Sequence, residues 1–174
     1  MKAGGVIERR RAAALAVAPG RKLTGYAAVF GQESRIAGFT EVIRPGAFTG
    51  ALSGRDVLCL IDHDPVRLLA RTKSGTLRLE EDSKGLRFEL DVPDTQEGRD
   101  ILTLAERGDL GGMSFGFTVP KGGEQWQGQR RELRSVTLYE ISVVHYWPAY
   151  EGTSVEPRAK APRLAAALRY LETV

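Results

Sequence analysis

"GGMSFGFTV", residues 111–119, sets a single serine in a run of apolar residues and glycines. Read as a strand, its side chains alternate between two faces: Met113, Phe115, Phe117 and Val119 share one, and Ser114, Gly116 and Thr118 share the other. The apolar face is expected to pack inward and the bare face to look outward. Gly116, one step along that bare face, removes the side chain that would crowd whatever approaches Ser114. A lone exposed serine is ordinary on any strand, so its meaning depends on the rest of the chain.

Outward from this stretch the chain reads as short strands broken by turn residues. "LTGYAAVF" ends at the turn around Gly31, and "EVIRPGAF" runs into Pro45-Gly46. "RDVLCLIDHD" is an apolar run read as a buried strand that stops at Asp62, His63 and Asp64. "TLRLEE" and "GLRFELDV" alternate with period two on either side of "DSKG", the pattern of a hairpin. The clear internal helix is "DTQEGRDILTLAERG", with Asp94 or Thr95 to cap it and Gly108 to end it. "RSVTLYEISVVHYW" is a further strand, and "PRLAAALRYLETV" puts Leu164, Leu168 and Leu171 on one helical face. Many strands, few helices and almost no βαβ alternation predict an α+β, mainly antiparallel fold: a closed or nearly closed β barrel surrounded by a few helices. Three sections are expected, a basic flexible arm over 1–22, the barrel over 23–153 and a helical tail over 154–174.

The 174 residues suffice for one core, and the apolar and charged fractions, 42% and 27%, argue against disorder as the main state. No apolar run is long enough for a membrane span. The opening "MKAGGVIERRRAAALAVAPG" is not read as a signal peptide, since its apolar piece is only seven small residues and Glu8 sits among its basic ones. One cysteine, Cys59, excludes an intrachain disulfide and fits a reducing compartment. Residues 1–22 carry six basic side chains against one acidic, whereas the central body is mildly acidic. Zinc-finger spacing, RNA-binding aromatic signatures and long basic helices are all missing, which argues against nucleic acid as the main partner.

Two histidines can be weighed one by one. His63 stands where a buried strand meets a loop, a common place for working residues on a rigid frame. A nucleophilic serine needs a base with a pKa near neutrality, and the base needs a third group to fix its tautomer. In "LYEISVVHY", parity puts Leu138, Glu140, Ser142 and Val144 on one face and Tyr139, Ile141, Val143 and His145 on the greasier other. Parity therefore favours Ser114, His63 and Glu140 as a set, with His145 as a packed, hydrogen-bonded core histidine. The Asp62, His63, Asp64 cluster offers metal-ligand types, but too few His or Cys for an ordinary transition-metal site. No metal or other cofactor is expected.

The succession "GYAAVF", "EVIRPGAF", "LIDHD", "GTLRLEEDSKGLRFELDVPDT", "GGMSFGF", "LYEISVV" and "PAY" resembles the prohead (capsid maturation) proteases of tailed bacteriophages. That family is similar in fold and active-site plan to the herpesvirus assemblins, serine proteases built on a β barrel surrounded by helices. The resemblance implies His63 as general base and Ser114 as nucleophile. Assemblins have a histidine in the third role, where this chain has Glu140, 26 residues after Ser114; Asp62, Asp64 and His145 stay as alternatives. The assemblin oxyanion loop corresponds by position to "WPAYEG", where Pro148 has no N–H to give. The implied activity is a serine endopeptidase that cuts the scaffold portion of the major capsid protein, and its own chain, inside the procapsid assembling in the host cytoplasm. Dimerisation follows by analogy with assemblins. The rival readings are a catalytically inactive assembly or scaffold protein and a metal-dependent hydrolase.

Overall fold

The computed structural model describes residues 6–146 apart from positions 13 and 37. The tail expected over 154–174 and the "WPAYEG" loop lie outside the described residues. In chain order the elements are β1 (Glu8–Ala12), β2 (Ala14–Ala18), β3 (Lys22–Val29), β4 (Ser34–Ile36), β5 (Phe39–Ile43), β6 (Leu58–Ile61) and β7 (Asp64–Arg71). There follow β8 (Leu77–Glu81), β9 (Gly85–Asp91), helix α1 (Gln96–Arg107), β10 (Gly112–Thr118), β11 (Glu124–Gln127), β12 (Arg130–Leu133) and β13 (Thr137–Val144).

Local sequence explains the short-range features. In the β8–β9 hairpin, Asp82 accepts from the amides of Lys84 and Gly85 at 2.7 and 3.0 Å, the Asx turn that "DSKG" encodes. The Thr95 hydroxyl accepts from Gly98 N at 3.1 Å to start α1, and Gly108, at φ +74°, ends it in the left-handed cap that glycine favours.

The strands form three sheets, ordered β1-β10-β13-β6-β7, β11-β12-β5-β4 and β2-β3-β9-β8. This corrects the expected barrel ringed by helices: the sheets do not close on one another, and the described residues contain one α-helix and are mostly β. The edges explain why. β7 carries Pro65, which has no N–H for a ladder, and its pairing to β6 shifts register twice, so it offers no continuous edge for closure. The antiparallel expectation also gives way at two joints, because β13 pairs parallel to β6 and β12 parallel to β5.

All three sheets share one apolar core. Phe88 comes from one, Phe115 and Phe117 from another and Leu133 from the third, with Phe48 set edge-on to Phe115 at 5.6 Å between ring centres. Cys59 is buried within it, and burial pushes its thiol pKa up, with the charge of Glu140 adding to the effect. No helix among the described residues is long and apolar enough to cross a membrane.

Within the stretch read as a basic arm, β1 pairs antiparallel with β10, and β2 with β3. β1 is also tied to the third sheet by charge. Buried Arg131 on β12 donates to Glu8 of β1 at 2.8 Å, to Glu41 of β5 at 3.0 Å and to Glu124 of β11 at 2.5 Å. Arg10 of β1 adds a two-pronged contact to Glu41, at 2.5 and 2.8 Å. Burial opposes the charge on Arg131, but its carboxylate partners outweigh it and raise its pKa. Removing one member strands the others without counter-charge. Arg131→Ala is expected to cost about 3–5 kcal/mol, read as a lower urea midpoint; a loss under about 1 kcal/mol would mean the network behaves like a surface ion pair.

Candidate active site

The site begins with a turn. β6 ends at Ile61 and β7 starts at Asp64, so Asp62 and His63 alone reverse the chain, at φ +50° and +61°. Positive φ at both central residues is the mark of the two-residue hairpin turn whose twist matches the strands. Asp and His are among the few non-glycine residues that enter this region readily. Three hydrogen bonds hold the turn against the end of β13: Asp62 N to Val143 O at 2.9 Å, His63 N to Ser142 Oγ at 3.2 Å and His145 N to Asp62 Oδ1 at 2.9 Å. The parallel β6–β13 pairing puts the turn beside these residues.

Glu140 lies beneath His63. Its Oε1 is 2.7 Å from His63 Nδ1, and its Oε2 accepts the Ser142 hydroxyl at 2.6 Å. Both oxygens are therefore engaged, and the residue is fully buried. Room for the carboxylate comes from the neighbouring strand. Gly116 faces Glu140 across the β10–β13 pair, and a Cβ on Gly116 would stand 2.3 Å from Glu140 Oε1. The glycine thus makes space for the carboxylate, whereas strand alternation alone predicts space at Ser114.

Ser114 is directly opposite Ser142 in the same pair, so Ser114, Gly116, Glu140 and Ser142 share one face of the sheet. That face was expected to look outward, yet Ser114, Glu140 and Ser142 are at most 1% exposed. Strict parity puts Leu138 with Glu140. A register shift leaves Tyr139 unpaired between Gly116–Glu140 and Phe117–Leu138, which turns Leu138 into the core while Glu140 keeps the other face. Among the described residues no hydrogen bond joins Ser114 to His63; the two are related by their common neighbours Glu140 and Ser142.

The other candidates point elsewhere. His145 Nδ1 is 2.7 Å from Asp62 Oδ2, and its side chain is 36% exposed, so it forms a second, more open pair where a packed core histidine was expected. Arg67 contacts the same Asp62 oxygen at 3.2 Å. Asp64 Oδ1 accepts from Val66 N at 3.0 Å. Asp62, His63 and Asp64 thus turn to three different partners. Burial alone would raise the Asp62 pKa, but the amide and ring of His145, with the charge of Arg67, outweigh it and hold the carboxyl below its ordinary value. An open groove of about 380 Å³ lies beside this pair, lined by Arg67 and His145 and by Glu97, Asp100, Ile101 and Leu104 of α1.

The part played by Ser142 is not evident from strand parity alone. Its signal was "EIS", a carboxylate and a hydroxyl two residues apart on one strand face. The arrangement as a whole offers an imidazole with one nitrogen fixed by a buried carboxylate and the other left for proton transfer, on the face that carries a serine.

Residues 9–167 match the family model described as caudovirus prohead serine protease. No curated protein and no solved structure matches the chain.

Two outcomes follow from this geometry. Gly116→Ala is expected to push the Glu140 carboxylate off His63 at a cost of about 1–3 kcal/mol; NMR of the histidine ring checks it, and an unchanged Nδ1–H signal would show that Glu140 can shift freely. The lowered Asp62 pKa means that its contribution to stability is present above its unfolded value, about 3.9, and is lost as the pH falls through the folded value. Asp62→Asn should therefore be less stable than the parent chain at neutral pH, with the gap closing in acid. Urea unfolding across pH tests this, and a gap of constant size would remove charge as the cause.

Proposed function

Because the chain belongs to the caudovirus prohead serine protease family, we propose that it is the endopeptidase that trims the scaffold portion of the major capsid protein, and its own chain, inside the assembling procapsid. The observation that carries the reading is the His63–Glu140–Ser142 network on the face of Ser114.

In this mechanism Ser114 Oγ attacks the scissile carbonyl and His63 takes its proton. A carboxylate oxygen only accepts hydrogen bonds, so Glu140 Oε1 keeps the ring proton on Nδ1 and leaves Nε2 as the base. The imidazolium that forms is stabilised by Glu140 from a buried position, where the attraction is little screened. His63 then gives the proton to the leaving amine, and the acyl-enzyme is resolved by water that His63 activates in turn. The Ser114–His63 hydrogen bond forms when substrate is bound, as catalytic contacts commonly tighten at that stage. Ser142 acts through Glu140: its hydroxyl holds Oε2 and its oxygen accepts the His63 amide, so one side chain positions both partners. Those two bonds commit the Ser142 hydroxyl to positioning, which leaves Ser114 as the facing serine for attack.

The test is mass spectrometry of the capsid protein co-expressed with the parent chain and its variants. The parent is expected to trim it, and Ser114→Ala to leave it whole. Glu140→Gln should slow trimming by on the order of 10⁴-fold, the size expected when the third group no longer fixes the tautomer. Trimming by Ser114→Ala at the parental rate would end the serine assignment, and full activity in Glu140→Gln would move the third role to another residue.

A further inference from the structure

Arg11 of β1 stands across from Ser114 in an antiparallel pair of unbroken register, so the two side chains leave the sheet on the same face. Its Nη1 is buried and has no hydrogen-bond partner among the described residues. The guanidinium centre is 4.8 Å from the centre of the Tyr146 ring, which offsets part of the charge but gives the N–H groups no acceptor in their plane. The contrast with its neighbour is sharp. Arg10, on the opposite face of the same strand, is held by Glu8 and Glu41. On the Ser114 face the carboxylate, Glu140, is already engaged at both oxygens by His63 and Ser142. Arg9, across from Gly116 on that face and exposed, makes no ion pair among the described residues either.

A buried guanidinium donor with no acceptor is costly, and a planar fork of N–H groups matches a carboxylate better than any other peptide group. We propose that Arg11 is a specificity-determining residue: it binds the side-chain carboxylate of an aspartate or glutamate in the peptide substrate, close to the bond that Ser114 attacks. This rests on the reading of Ser114 as the reaction centre. β1 thereby completes the site as well as the sheet.

The full chain carrying Ser114→Ala is titrated, by fluorescence anisotropy, into labelled Ala/Ser octapeptides with one Glu at successive positions, each beside its Gln counterpart. At one or two adjacent positions Glu is expected to bind at least about tenfold tighter than Gln, the size of one charge-assisted hydrogen bond. The difference should shrink with added salt, disappear in Arg11→Gln and survive in part in Arg11→Lys, which keeps the charge without the fork. Equal binding of Glu and Gln peptides by the chain that retains Arg11 overturns the proposal, and that comparison needs no Arg11 variant to fold. So does a Glu preference that persists in folded Arg11→Gln. Cutting of the peptides by Ser114→Ala would instead defeat the serine reading, and is scored separately on the same samples.

Discussion

The buried carboxylate of Glu140 is the constraint around which the five-stranded sheet is arranged. A carboxylate removed from water is tolerated only when its oxygens are hydrogen-bonded and a counter-charge is at hand or can form. Here Oε1 meets His63, Oε2 meets Ser142, and the space itself is left by Gly116. The three supports come from a turn, from the residue two places along the same strand and from the neighbouring strand. Shifting the turn would leave the buried charge without its imidazole partner, and shifting β10 would put side-chain atoms into the space it occupies. The unpaired Tyr139 belongs to the same requirement, because it lets Leu138 fill the core while Glu140 keeps the opposite face.

The turn at Asp62 and His63 transmits the constraint along the chain. Two consecutive non-glycine residues at positive φ are held there by contacts from outside the turn. Those contacts come from β13, through Val143 O, Ser142 Oγ and the His145 amide. Asp62 is shared between the turn and His145, so the two histidines are joined through adjacent residues while each keeps its own carboxylate. The more open pair borders the groove against α1, and the closed pair lies against the serine face.

β1 shows how a period of two divides labour on one strand. Glu8 and Arg10 turn to the buried network of Arg131 and Glu41, which fastens the strand to the third sheet. Arg9 and Arg11 turn to the face of Ser114. Four charged residues in a row, which look like a solvated basic patch when read alone, thus contribute to stability on one side and set two arginines on the face of Ser114 on the other.

Much of this was legible in the residues themselves, and the legible part is local. Alternation in "GGMSFGFTV" predicts β10 and its apolar face, "DSKG" predicts a hairpin turn, and Thr95 and Gly108 predict the ends of α1, because each depends on neighbours a few positions away. The order of motifs also led to the family that residues 9–167 match. The tertiary structure alone decided that the sheets stay open, that β6 runs parallel to β13, that the bare face is buried and that Gly116 makes way for Glu140. Those outcomes depend on which distant strands pair and in what register. One unpaired residue at Tyr139 reverses the parity on which any reading of that strand by itself must rely.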